Sequence, residues 1–289
     1  MSQDHPANLL RSGSETFLRV LFGVFLAFIA VSLAVWPRLE PFAAVTVVMA
    51  LFAAREWHRL VRSPVQRQAA DQQPILIQTI ITAASIACAI VSLVLQVAPV
   101  AFAFIIIGAI AAFVVARQRQ DHPLWHAAGV LYIGLPSIAL VALKMPPAQG
   151  TWYILGLFLI VWATDTGALV FGKLIGGKKI APRISPGKTW AGTIGGTLTA
   201  MAVYAPFVAL LSLEMAPSMA FAFGLSVIAH LGDLLESALK RHFGTKDSGG
   251  LIPGHGGVLD RMDSMFATSV VLALLVFGLH LNPLFGGHA

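Results

Sequence analysis

The sequence predicts an all-α fold: a polytopic integral membrane helical bundle of about nine transmembrane helices, with its N-terminus in the cytoplasm. Three observations predict it. Hydrophobic residues make up 57% of the 289 and charged ones 11%, against roughly 25% charged in soluble domains. Apolar windows of about 20 residues, the length that crosses a bilayer as a helix, recur from end to end. Once those windows are drawn, 17 of the 19 Lys and Arg residues fall in segments on one side, the bias that marks the cytoplasmic face.

Residues 1–16 read as a polar N-terminal tail and 17–289 as a single integral membrane domain, with the chemistry-bearing motifs in 163–263. The first span, 17–36, follows the tail, and Arg38 separates it from the short second, 39–54, which stops at the charged run REWHRLVR. The third and fourth, 75–97 and 98–115, part only at a weak break from Gln96 to Pro99, and Arg117 and Arg119 close the fourth. The fifth, 124–143, ends at Lys144. The sixth, 151–172, carries Asp165 near its cytoplasmic end, and a basic loop at 173–188 leads into the seventh, 189–211. The eighth, 216–234, runs into LGDLLESALKR, and the ninth, 263–282, opens at Asp263.

Arg38 and Lys144 alone fall on the far side. The net charge of +6 therefore sits in loops between spans. That placement argues against a nucleic-acid partner and for membrane lipids, whose anionic headgroups REWHRLVR is expected to bind. The single cysteine, Cys88, excludes an intrachain disulfide framework and reads as a small buried hydrophobe.

The stretch from Ser237 to Asp263, SALKRHFGTKDSGGLIPGHGGVLDRMD, gathers lysines, arginines, aspartates and glycines between apolar segments. Carboxylates hold divalent cations while Lys and Arg neutralise phosphate oxygens, so the composition points to a phosphate substrate with a metal. At helical spacing Asp233, Ser237 and Arg241 share one edge, and Glu236 stands four residues before Lys240. The Glu236–Lys240 pair reads as ordinary pairing on a solvated face. Asp233, next to hydrocarbon, reads as functional, because an acid there is costly unless paired or used.

Gly249, Gly250, Gly254, Gly256 and Gly257 allow backbone amides to approach an anion. His255 stands without a second His or Cys at ligand spacing, which argues against zinc. Asp260 is a ligand candidate, whereas Asp263 reads equally as a ligand or as a plain helix N-cap. Asp165 reads as an ion-relay acid of a transporter or as part of a surface active site. GKLIGGKK, Gly172 to Lys179, falls short of a phosphate-binding P-loop, since Lys179 stands where Ser or Thr is required. Lys178, Lys179, Arg183, Ser185 and Lys188 remain a phosphate clamp.

These residues carry a resemblance. The pattern Ser237, Leu239, Lys240, Arg241, Lys246, Asp247, Gly249, Pro253, His255, Gly256, Gly257, Asp260, Arg261 and Asp263 resembles the signature of the bacterial phosphatidate cytidylyltransferase (CDP-diacylglycerol synthase) family. ATDTGALVFGKLIGGKKIAPRISPGKTWAG, from Ala163 to Gly192, is similar to that family's second motif, departing at Gly187 and Ala191, where many members carry Lys and Glu. The resemblance implies cytidylyl transfer from CTP to phosphatidate with Mg²⁺, leaving a second metal ion open, by a homodimer in the cytoplasmic (inner) membrane. It implies Asp233 and Asp260 as metal ligands with Asp263 a third. Lys240, Arg241, Lys246 and Arg261 are implied on phosphates, with Ser185, Lys188, Ser237, Asp247, His255, Gly256 and Gly257 around the substrates and Asp165 in support. A CTP-using polyprenol or phytol kinase would lack the full signature. An ion-coupled transporter would show two repeated halves, and no such repeat is present.

Overall fold

The computed structural model describes residues 21, 23–68, 72–249, 256–282 and 287–288. The polar tail at 1–16 and His255 lie outside them. Among the described residues nine helices match the nine expected spans: α1 (Gly23–Val35), α2 (Leu39–Leu60), α4 (Gln73–Val94), α5 (Ala98–Gln118), α6 (Pro123–Lys144), α7 (Gly150–Leu174), α8 (Trp190–Leu210), α9 (Met215–His242) and α10 (Leu259–Ala273). A short α3 (Pro64–Gln68) follows α2, and α10 continues as a π-turn over Leu274–Gly278. Among the described residues the seven helices α4 to α10, with α10 counted through its π-turn, are long and apolar enough to cross a membrane.

Local sequence explains the boundaries. Pro stands in the first turn of α4, α5 and α6, where its missing N–H costs nothing. Gln96, Gln120 and Ser212 adopt left-handed backbone, with φ of 64°, 53° and 53°, and turn the chain after α4, α5 and α8. The weak break at Gln96 is thus a true reversal. Three helices outrun their apolar windows by four residues or more: α2 continues to Leu60, past the expected 54, α9 continues to His242, past 234, and α10 starts at Leu259, before 263. Charge ends a hydropathy window, but it does not end a helix whose charged side chains find one another.

Two apolar clusters form the core. Trp57, Ile86, Ile105 and Ile133 centre one among α2, α4, α5 and α6. Tyr153, Ile160, Tyr204 and Leu272 centre the other among α7, α8 and α10, and Met262 packs against both. Backbone approaches closely where the second cluster meets the charged end. A Cβ on Gly196 of α8 would sit 2.6 Å from the Thr164 carbonyl of α7. One on Gly232 of α9 would sit 2.8 Å from the Asp263 carbonyl of α10. Small residues let membrane helices touch in this way, and here they bring the segments bearing Asp165, Asp233 and Asp263 together.

The basic loops meet at one end of the bundle. Trp57 Nε1 donates to the Trp125 carbonyl (2.8 Å), the Ser63 amide to Asp121 Oδ1 (2.7 Å) and Gln66 Nε2 to the Arg119 carbonyl (2.7 Å). Trp125 packs edge-on against Phe243 at 5.1 Å. Between α7 and α8 lies an unexpected antiparallel hairpin, β1 (Lys179–Ala181) and β2 (Ser185–Thr189), pairing Lys179 with Thr189 and Ala181 with Ser185. A second small pair, β3 (Leu281–Asn282) and β4 (Gly287–His288), follows α10.

Four readings are corrected. REWHRLVR is not simply a headgroup anchor: Arg55 and Arg59 are exposed, but Glu56, His58 and Arg62 are buried. His58 lies 2.9 Å from His126 and 2.8 Å from Thr82, and His126 lies 3.0 Å from Asp121, so this segment joins α2, α4 and α6. Cys88 faces outward rather than into the core. Lys144 is no surface charge: it is buried and donates to the Ala34 carbonyl and Thr151 Oγ1, tying α1 to α7. Glu236 is fully buried, not solvated, because its edge of α9 turns toward α10.

Candidate active site

Three elements supply the site. The C-terminal turns of α9 present Asp233, Glu236, Ser237, Lys240 and Arg241; the first turns of α10 present Asp260 and Asp263; β2 presents Ser185 and Lys188. α9 continues as helix through LESALKRH, which places Asp233, Glu236 and Lys240 along one face at spacings of three and four.

Two ion pairs join these elements. Lys188 Nζ lies 2.6 Å from Asp233 Oδ2, linking the hairpin to α9. Lys240 Nζ lies 2.7 Å from Asp260 Oδ1 and 3.5 Å from Glu236 Oε1, linking α9 to α10. Arg241 Nε donates to the Ile184 carbonyl (3.1 Å), docking the hairpin tip against α9. Ser237 Oγ stands at 3.5 Å from Asp233 Oδ1, and Ser264 Oγ at 3.5 Å from Asp165 Oδ1.

The carboxyl groups feel one another's charge: Asp165 with Asp263 and Asp233, and Glu236 with Asp263 and Asp260. Glu236 is the most deeply enclosed of them: it is fully buried, and its charged neighbour is Lys240, whose Nζ stands 3.5 Å from Oε1. Among the described residues no three His, Cys, Asp or Glu side chains are grouped so that they could hold a metal ion by themselves. What the arrangement offers is a set of oxygen donors beside two lysines, an environment for polyanions and hard cations together.

The structure thus brings together Asp165, Lys188, Asp233, Ser237, Lys240, Asp260 and Asp263. Ser185 sits nearby on β2, partly buried. Lys246, Asp247 and Arg261 are exposed at the rim. Gly256 has φ of 80°, open to glycine without strain. The Gly257 amide is already given to Asp260 Oδ2 at 3.0 Å rather than held open for an outside anion. Asp263 lies in the second turn of α10, so it is not the N-cap of that helix. At Gly187 a Cβ would meet nothing within 4 Å, so no crowding demands glycine there.

The sequence reading missed Glu236 and Ser264. For Glu236 the sequence carries only its spacing, three residues after Asp233 and four before Lys240, which does not tell a buried face from a solvated one.

Comparison with known proteins agrees with this geometry. The chain is 43% identical over 167 residues to a phosphatidate cytidylyltransferase of Brucella suis, covering 56% of this chain and 61% of that one. It is 45% identical over 152 residues to one from Staphylococcus haemolyticus (51% and 56%) and 48% identical over 134 residues to one from Staphylococcus aureus (45% and 51%). The aligned part thus spans about half to three-fifths of these relatives' length. The description of the cytidylyltransferase family matches residues 17–279, all nine helices of the bundle with the whole site between them. The chain belongs to the cytidylyltransferase family.

Proposed function

We propose that the protein transfers the cytidylyl group of CTP to phosphatidate, giving CDP-diacylglycerol and pyrophosphate, as a phospholipid-biosynthetic enzyme of the inner membrane with its site on the cytoplasmic face. The observation that supports this best is the meeting of Lys188 with Asp233 and of Lys240 with Asp260 at the charged end of an apolar bundle. A lipid phosphate can enter such a site from the bilayer and a nucleotide from water. The names of the relatives supply the substrates.

In this reading a phosphatidate oxygen forms a bond to the α-phosphorus of CTP. The bond from that phosphorus to the bridging oxygen of the β-phosphate breaks, and its electron pair leaves on pyrophosphate. The nucleophile is already an anion, so no strong general base is required. The barrier lies in bringing two polyanions together. Lys188 and Lys240 exchange their carboxylate partners for phosphate oxygens. Arg241, Lys246 and Arg261 draw the anions in at the rim, with the Ser185 and Ser237 hydroxyls and the Gly256 backbone beside them.

Mg²⁺ suits this donor set: every acid offers oxygen, Glu236 adds two buried oxygens with one lysine 3.5 Å from one of them, and Mg²⁺ is commonly completed by substrate phosphates rather than by an all-protein cage. Asp233 and Asp260, with Asp263, would hold it, and it would screen the triphosphate and the departing pyrophosphate. The family resemblance adds a homodimer in contact with membrane lipids.

The test is direct. Purified protein in detergent, given CTP, phosphatidate and Mg²⁺, is expected to form CDP-diacylglycerol and pyrophosphate in equal amounts. A folded preparation that forms neither would overturn the reading.

A further inference from the structure

α10 carries Asp260 and Asp263 into the site, yet its N-terminus has no cap of its own: Val258, the residue before the helix, makes no side-chain capping bond. The first amides of a helix are left without partners, and burying them unpaired is costly. Here carboxylates take them. The Gly257 amide goes to Asp260 Oδ2 (3.0 Å). The Val258 and Leu259 amides go to the two oxygens of Glu56, at 3.0 and 2.8 Å. Glu56 lies about two hundred residues earlier, in the last turns of α2, and is buried.

The same carboxylate holds the other end of the loop. Ser248 Oγ lies 3.4 Å from Glu56 Oε2, and the Ser248 amide lies 3.3 Å from Asp260 Oδ2. Two glycines make room for it. A Cβ on Gly249 would stand 2.7 Å from Glu56 Oε1, and one on Gly257 would stand 2.6 Å from Oε2. A negative group at a helix N-terminus also favours the helix dipole. Glu56 is therefore placed to set where α10 begins, and with it the direction in which Asp260 and Asp263 project.

We infer that Glu56 is a positioning residue for the proposed cytidylyl transfer, clamping Ser248 and the first turn of α10 so that Asp260 and Asp263 meet Lys240 and Asp233 in the productive arrangement. It touches no substrate; it acts through the helix. The inference rests on the reaction proposed above, but the clamp itself is measurable without it.

Two measurements test it on the full-length protein in detergent. In amide hydrogen exchange, Glu56→Ala should speed exchange at residues 257–260 about tenfold, as loss of a buried cap should, while amides in α5 and α8 keep their wild-type rates. In the CTP–phosphatidate assay, below the temperature at which the variant melts, kcat should fall about a hundredfold with little change in either KM, as misplacement of reacting groups predicts. Glu56→Gln, which keeps one carbonyl oxygen, should lie between wild type and Ala in both readouts. Arg55→Gln, one residue away and exposed, should match wild type. If Glu56→Ala does not fold, Gly257→Ala, whose Cβ would strike Glu56 and Ser248, should give the same local exchange and the same kcat loss. Unchanged exchange at 257–260, or kcat within about twofold of wild type, would overturn the clamp. A wild-type protein without cytidylyltransferase activity would overturn the reaction instead, leaving the exchange arm to decide on the clamp.

Discussion

Asp233 and Asp260 stand in different surroundings, which decides what each can do. Asp260 accepts from Lys240 and from the amides of Gly257 and Ser248, so it organises the loop as well as facing the site. Asp233 is bound mainly through Lys188, a partner on a different element, which in the proposed reaction leaves it for a phosphate oxygen. Asp233→Asn is expected to reduce kcat by about a thousandfold, the loss of a charged ligand to a bridging cation, with folding intact. Asp260→Asn should lose as much activity and also some thermal stability, because an amide cannot accept from three donors as a carboxylate does. Turnover near the wild-type rate in either purified variant would remove it from the site. Asp233 and Asp260 were legible in sequence because they stand in a dense motif. Glu56 was not, because nothing local marks it: its partners lie about two hundred residues away, and its neighbours Arg55 and Arg59 make it look like part of a surface loop.

Elements at the charged end are tied by polar contacts as well as by apolar packing. The corner where α2, α5 and α6 meet turns on Asp121, which takes the Ser63 and His122 amides and faces His126. Burial pushes its carboxyl up, but the hydrogen bonds from His126, Ser63 and His122 outweigh burial and hold it at about 2, below the usual 3.8. A carboxylate lowered in this way stabilises the fold above its unfolded value, and the contribution disappears as pH falls through the folded one. It should therefore be present in full above about pH 4 and be lost toward pH 2, with a size of about 2 kcal/mol. In thermal melts Asp121→Asn should lie below wild type at neutral pH, and the gap should close between pH 4 and 2. A gap that stays constant would show that the acid is not the corner's tie. The hairpin β1–β2 is the element the sequence reading did not foresee. Its β2 residues SPGKT carry no β-branched alternation, and the hairpin is docked against α9 through Arg241 and Lys188.

At the scale of the molecule, an apolar bundle has a charged end formed where the basic loops meet, and the proposed function requires that end to face the cytoplasm, since CTP does not cross a bilayer unaided. With Cys88 replaced by Ala, a membrane-impermeant thiol reagent applied to intact cells should fail to label a cysteine at Thr245 and should label one at Gly287. Labelling at 245 from outside would reverse the orientation and the proposal with it. Sequence alone determined the nine helices and the grouping of the basic loops, because hydropathy over about 20 residues and the positions of Lys and Arg are properties of contiguous chain. It also determined the dense acid–base motif of α9 and α10. Tertiary structure alone decided that Glu236 is buried rather than solvated, that Lys144 ties α1 to α7, that Lys188 reaches Asp233, and that Glu56 caps α10. The physical reason is the same each time. A polar side chain's role depends on which donor or acceptor, far away in the chain, is packed against it once water has been excluded.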